Sequence, residues 1–208
     1  MSNPLVMRVL LAVILALCAA GAFLARAERA EVTIRIAFLA SNDDEDYVGA
    51  MAFKQSVEAA AGSRVAVQVF PSGQYCGSER ECIEALQGGM LEMHQTTFGG
   101  LAALFGPAQA LDLPYTFADD AVAECVMDGP LLAQMGDAIL EQGLGLRLMA
   151  VGNTGGWRSF ATTRQRIQSP ADLARLRIRT LPSALEQEMV RLLGASPTPL
   201  PWSEVYYA

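Results

Sequence analysis

An α/β fold with parallel strand pairing is predicted for this chain, and three observations predict it. Segments of alternating hydrophobicity take turns with segments of helical periodicity from residue 32 to residue 151. Gly, Pro and Ser signals fall at the joins between them. The chain has 208 residues, 52% hydrophobic and 18% charged, which suffices for a sizeable core. Strand–helix–strand alternation of this kind builds a parallel sheet.

The first segment stands apart from the fold. Arg8 precedes an apolar run over residues 9–24, and Ala25-Arg26-Ala27 supplies small residues at A-x-A spacing before Glu28 and Arg29. This is the three-part pattern of a cleaved secretory signal over residues 1–27, and the run is shorter than the ~20 residues a spanning helix needs. Export permits disulfides. Cys18 leaves with the signal, so Cys76, Cys82 and Cys125 allow three single pairings, each with one thiol left over. Cys76–Cys82 is the first choice because the two are close in sequence, on a loop and on the helix after it.

The elements follow in order. Val32, Ile34, Ile36 and Phe38 alternate with Thr33, Arg35 and Ala37, predicting a strand. The acids of "ASNDDEDY" belong at the start of a helix, which Ala50, Phe53, Val57 and Ala60 continue and Gly62 stops. Val65, Val67 and Val69 predict a second strand, ended by Pro71. Ser78 with Glu81 is a capping box, opening a helix that carries Ile83, Leu86 and Met90. "MLEMHQTTF" reads as a strand running into a polar loop, and "LDLPYTF" as extended. Helices are predicted over 119–127 and 131–142, divided by "DGP", and "LGLRLMAV" as another strand. After the glycine-rich "GNTGGWRSFATT" come a short helix from Ser169-Pro170, a strand in "LRIRTLPSA", and a helix over 184–193 closed by Gly194. "ASPTPLP" reads as a stiff connector, and "WSEVYYA" as a helix start capped by Ser203. A helix under two turns, ending on Val205, Tyr206 and Tyr207, has few internal hydrogen bonds. The chain is therefore expected to be truncated, stopping inside a second block.

Several function classes are excluded or left weak. A net charge of −7, with Lys54 the single lysine, argues against a nucleic-acid partner. There is no G-x-S-x-G, H-E-x-x-H, P-loop or post-strand G-x-G-x-x-G, so no catalytic residues are assigned. His94, the single histidine, cannot form a metal site with cysteines so scattered, and no metal or cofactor is expected. An exported enzyme using His94 or a cysteine is the weakest competing class.

Arginines are the better lead. Arg177 and Arg179 share one face if their segment is a strand, and Arg158 lies in "GGWRSF" after the glycine-rich crossover. Guanidinium presents paired N–H donors that match a carboxylate bidentately. Against this stands pairing with a local acid such as Asp172, or simple solvation. Trp157 and Trp202 each stand next to a turn and a polar residue, which suits a pocket wall, although a core position is the commoner place for either taken alone. Asn153 is placed to donate to a ligand or to cap its own turn.

In order, "FPSGQ…GSERECIEALQGGMLEM", "LDLPYTF", "DGPL", "GNTGGWRSF", "SPADLARLRIRTLPS" and "LGASPTPLPWSEVYYA" cover nearly the whole chain after the signal. Taken together they resemble the substrate-binding proteins of tripartite ATP-independent periplasmic (TRAP) transporters. The resemblance implies a two-lobed periplasmic-binding-protein-like α/β fold closing on a small organic acid in a cleft between lobes. The first lobe would occupy 28–152, and 153–208 would begin an incomplete second one. It implies Arg179 as the clamp on the ligand carboxylate, Arg158 as a second contact, Trp202 as pocket wall and Asn153 as a crossover contact. Asn42 and Glu79 follow as contacts in the mouth loops, whereas Arg177 matches a position not tied to ligand. It further implies a periplasmic protein that does no chemistry and hands its carboxylate to the membrane subunits of a TRAP transporter. The alternative is a ligand-binding input for a periplasmic sensor system, or a non-functional fragment of such a receptor.

Overall fold

A computed structural model describes residues 30–163 and 165–208; the signal expected over 1–27, with Cys18, lies outside the described residues. The order of elements is β1 (Val32–Ala37), α1 (Glu45–Ala61), β2 (Val65–Phe70), α2 (Glu79–Gln87) and β3 (Met93–His94). A single turn α3 (Phe98–Leu101) and a 3-10 segment Gly106–Asp112 lead to α4 (Asp120–Met127) and α5 (Pro130–Glu141). A 3-10 turn Pro170–Leu173, β4 (Arg177–Thr180), α6 (Ala184–Leu192), β5 (Ser196–Pro199) and a 3-10 segment Trp202–Tyr207 complete it. The fold is α/β, with β2–β1–β3 in one sheet and β4–β5 in another. β1 runs parallel to β3, pairing Ile36 with Met93 and Ala37 with His94.

The described residues group into two compact units. The smaller comprises 30–34 and 53–68. There the Glu58 carboxylate accepts from Lys54 Nζ and from the Val67 N–H, both at 2.9 Å, and Lys54 also donates to the Val67 carbonyl at 2.5 Å. The single lysine thus joins helix to strand beside the buried Val67.

The larger unit comprises 35–52 and 69–208 and holds both apolar clusters. One gathers Ile83, Leu101, Phe105, Met135, Ile139 and Leu146 from four helical or loop segments. The other packs Ala37, Leu39, Cys76, Cys82 and Leu91 around the C-terminal end of β1. Cys76 and Cys82 are joined in a disulfide with Cα atoms 5.3 Å apart, and Cys125 is free and exposed. Helix starts follow side-chain chemistry. Ser78 Oγ accepts from the Glu81 N–H at 3.3 Å, while the Glu81 carboxylate takes the Gly77 N–H at 2.7 Å, one residue beyond the position a capping box uses. Ser169 and Asp172 form the reciprocal box in full.

Four expectations fail, each for a tertiary reason. "LGLRLMAV" forms no strand: its alternation sends Leu146 and Leu148 into the first apolar cluster, and no described neighbour offers a ladder. "ASPTPLP" is no mere connector, since Ser196–Pro199 pairs in parallel with β4. The start of "LDLPYTF" closes the 3-10 segment Gly106–Asp112 instead of extending. Ser203 caps nothing: Pro201 holds the cap position, and the Ser203 hydroxyl donates to the Gly77 carbonyl at 2.7 Å.

Candidate functional site

Arg179 is held by the second sheet. The register sets it opposite Thr198, and the Leu200 N–H donates to the Thr180 carbonyl at 3.1 Å, which fixes Leu200 just past the end of β5. The Leu200 carbonyl then accepts from both Arg179 Nε (2.9 Å) and Nη2 (2.7 Å). This occupies the side-on edge of the guanidinium and leaves the end-on Nη1/Nη2 edge for a second, bidentate partner. Arg179 Cζ lies 5.7 Å from the centroid of the Trp202 ring, a cation–π distance. Burial pulls the Arg179 pKa down, Glu186 works against this and Arg158 adds to it. The group remains charged at any physiological pH. Arg177, two residues earlier, is exposed.

Arg158 belongs to the same electrostatic neighbourhood. Its Nη1 lies 3.4 Å from Oε1 of Glu186, a residue only 4% exposed. Asp172, the local acid named above, is committed elsewhere: its Oδ2 accepts from the Gln168 and Ser169 N–H groups at 2.9 and 2.8 Å, which hold its carboxyl below the usual range. Glu186 is fixed from both ends. Ser183 Oγ accepts from its backbone N–H at 3.4 Å, and its own Oε2 accepts from the Leu181 N–H at 2.8 Å. Asp112 joins from the other side, with a buried Oδ2 that accepts no hydrogen bond among the described residues. Burial first, and the charge of Glu186 second, push the Asp112 carboxyl up to about 6, against the pull of Arg158.

Two adjacent glycines are the spine of this arrangement. A Cβ on Gly99 would lie 2.9 Å from Leu181 Cδ1, 3.0 Å from Asp112 Oδ2 and 3.7 Å from Glu186 Oε1. A Cβ on Gly100 would lie 2.5 Å from Thr96 Oγ1 and 3.0 Å from Glu79 Cγ and Cδ. Only hydrogen at both positions lets three carboxylate side chains close on one turn of α3, which Thr97 caps through the Gly100 N–H at 3.1 Å.

Glu79, first residue of α2, places Oε2 2.7 Å from His94 Nε2, while Nδ1 of the almost fully buried imidazole faces the Ala37 carbonyl at 2.9 Å. Asp46 is nearby in charge: burial, then Asp44 and Glu79, raise its carboxyl to about 6, with the Gln95 amide at 2.5 Å opposing. The contact of Ser203 with Gly77 sets the Trp202 segment against the loop that leads into Glu79. Asn153 Oδ1 accepts from the Gly156 N–H at 3.0 Å, closing the turn through Gly155 and Gly156, both at positive φ. Trp157 is more than half exposed, tilted against Phe117 with centroids 6.4 Å apart. Asn42 is exposed in the turn between β1 and α1.

An ion pair joins Arg158 to Glu186 and a cation–π contact joins Arg179 to Trp202, while charge links Arg179 and Asp112 to Glu186, with Glu79 on the neighbouring glycine. Glu186 and Asp112 were missed by reading the sequence. The first had a signal, since Ser183-Ala-Leu-Glu186 is a capping pattern. The second had none, because its burial comes from residues distant in the chain. Among the described residues no group of three or more His, Cys, Asp or Glu is arranged to hold a metal ion, and no helix is long and apolar enough to cross a membrane.

Comparison with known proteins bears on this geometry. A family model described as bacterial extracellular solute-binding protein, family 7, matches residues 36–208. The 2,3-diketo-L-gulonate-binding periplasmic protein YiaO of Escherichia coli K12 is 29% identical over 176 residues, covering 84% of this chain and 52% of that protein. A TRAP periplasmic solute-binding protein from Bradyrhizobium sp. BTAi1, in complex with galacturonate, superposes with a TM-score of 0.78 at 34% identity, covering 85% of this chain and 57% of that one. One from Sulfurospirillum deleyianum, with bound succinate, gives a TM-score of 0.74 at 27% identity over 86% of this chain and 56% of that one. The chain spans about half the length of the curated relatives it matches.

Proposed function

We infer, because this chain belongs to the bacterial extracellular solute-binding proteins of family 7, that it captures a small carboxylate and delivers it to the membrane subunits of a TRAP transporter. The observation that carries this reading is the Arg179 guanidinium, anchored on one edge by the Leu200 carbonyl and free on the other. A carboxylate on that free edge makes two charge-assisted hydrogen bonds, each contributing roughly 1.5–3 kcal/mol. Trp202 covers the cation and walls the ligand. Arg158 is the second donor, Asn153 shapes the turn that presents it, and Asn42 and Glu79 line the mouth. In this reading residues 28–152 form the first lobe and 153–208 open the second. Residues 1–27 direct the chain to the periplasm and are removed. The protein performs no reaction: ligand capture shifts it toward a closed form that its membrane partner reads. Galacturonate and succinate, bound by the two structural relatives, define the range of acids to try first.

A thermal-shift screen of sugar acids and C4 acids on the purified chain tests this. An acid supplied at 100 times its dissociation constant stabilises by about 2.7 kcal/mol. Arg179→Lys should remove most or all of that shift, because an ammonium cannot serve the Leu200 carbonyl and a bidentate carboxylate together, at a loss of roughly 2–5 kcal/mol. An unchanged shift in the variant removes Arg179 from the site, and no shift with any carboxylate ends the reading.

A further inference from the structure

The two guanidiniums of the site are not electrostatically equivalent. Arg179 is satisfied by a neutral carbonyl, so its charge stands uncompensated by any hydrogen-bonded carboxylate. Arg158 faces a carboxylate oxygen 3.4 Å away. That oxygen, Glu186 Oε1, is buried and accepts no hydrogen bond among the described residues. Arg158 is therefore its nearest source of compensation. The carboxylate has no freedom to swing out to solvent. Its Oε2 is tied to the Leu181 N–H, its backbone is capped by Ser183, and Gly99 admits it against α3. The Glu186 carboxylate is thus a fixed, built part of the site.

We propose that Glu186 is the specificity-determining residue of this site: its single negative charge, paired with Arg158, leaves the two guanidiniums one net positive charge between them, and so selects ligands with a single carboxylate over dicarboxylates. The inference rests on the carboxylate-binding reading above and names the substrate class within it. A monocarboxylate on the free edge of Arg179 ends as a neutral pair. Arg158 still offers N–H donors, but as half of an ion pair it suits a hydroxyl or carbonyl oxygen. The second carboxylate of a diacid meets a neutral pair backed by Asp112. It therefore loses its hydration without gaining a counter-charge and meets like charge behind it.

Calorimetric titration with acids matched in carbon skeleton tests this: galactonate against galactarate, D-erythronate against meso-tartrate, and butyrate against succinate. The wild-type chain should bind the monoacid of a pair about tenfold or more tightly than its diacid. Glu186→Gln keeps an acceptor for the Leu181 N–H and frees the Arg158 charge, so it should shift that ratio about tenfold toward the diacid. A wild type that prefers diacids, or a Glu186→Gln protein that weakens both members equally, overturns the proposal while leaving carboxylate binding intact. Failure of every acid to bind the wild type overturns the carboxylate reading and this inference with it. If Glu186→Gln does not fold, Arg158→Gln is titrated instead. With the Glu186 charge then uncompensated, the monoacid preference should widen about tenfold, and an unchanged ratio overturns the proposal.

Discussion

His94 shows how a residue that looks like a catalytic candidate can be explained by its partners alone. Both ring nitrogens face oxygens, the Ala37 carbonyl on one side and Glu79 Oε2 on the other. Because a carbonyl only accepts, Nδ1 donates to Ala37, and Nε2 faces the Glu79 carboxylate. The imidazole thus ties the first residue of α2 to the end of β1. His94→Ala should leave the Glu79 carboxylate without a partner and cost roughly 2–4 kcal/mol, read as a lower urea midpoint at unchanged m-value. His94→Gln, which keeps one amide donor, should recover part of that loss. Turnover that depends on His94 would contradict this account. The isolated histidine was legible in the sequence as a poor metal or catalytic candidate, but its carboxylate partner 15 residues earlier was not.

At the scale of elements, the pairing of β4 with β5 turns on three prolines. Pro197, Pro199 and Pro201 alternate with Ser196, Thr198 and Leu200. The N–H groups of Ser196 and Leu200 donate to Leu176 and Thr180 at 2.8 and 3.1 Å, so the positions without a donor fall on the side away from β4. Proline is tolerated in a strand only in this edge arrangement. Thr198→Pro should break the rule by placing a proline at a position of the paired parity. The expected cost is about 3 kcal/mol, together with loss of the carboxylate-induced thermal shift, because the Leu200 carbonyl would no longer be held against Arg179. Pro199→Ala, on the other parity, should leave the ligand-induced shift in place. Equal effects of the two substitutions would refute the assignment.

For the molecule as a whole, the carboxyl groups divide into two sets that oppose each other in pH. Asp46 and Asp112 have folded-state values of about 6 against an ordinary 3.8, so the folded chain binds their protons more tightly than the unfolded chain does. Stability therefore falls as pH rises from 3.8 through about 6, and does not recover above it. Glu58, Glu92 and Asp172 are shifted downward by their hydrogen bonds, so the stability they contribute is present above the ordinary carboxyl range and lost in stronger acid. The two slopes oppose each other across the ordinary carboxyl range, so the stability maximum lies on the acid side of neutrality. Asp112→Asn should raise the melting temperature at about pH 7.5 and change it little at about pH 3.5. The gain at the higher pH should be about 1 kcal/mol after allowing for solvent screening at a half-buried carboxyl. A melting profile that rises monotonically from acid to pH ~7.5 would refute the division.

The sequence by itself determined what depends on neighbours along the chain. β1, α1, β2, α2, α4 and α5 were legible because period-2 and period-3.6 patterns, the Ser78 cap and the stops at Gly62 and Pro71 are local physics. The same locality identified Arg158 and Arg179 as the residues to follow. Only the tertiary structure decided what each one meets: Leu200, 21 residues beyond Arg179, and Glu186, buried against Arg158 in a helix of another segment. It also made a strand of "SPTP" and withheld one from "LGLRLMAV", since a strand exists only where a second backbone supplies the other half of its hydrogen bonds. Periodicity records which face of a segment is buried, and it carries no record of the partner that buries it.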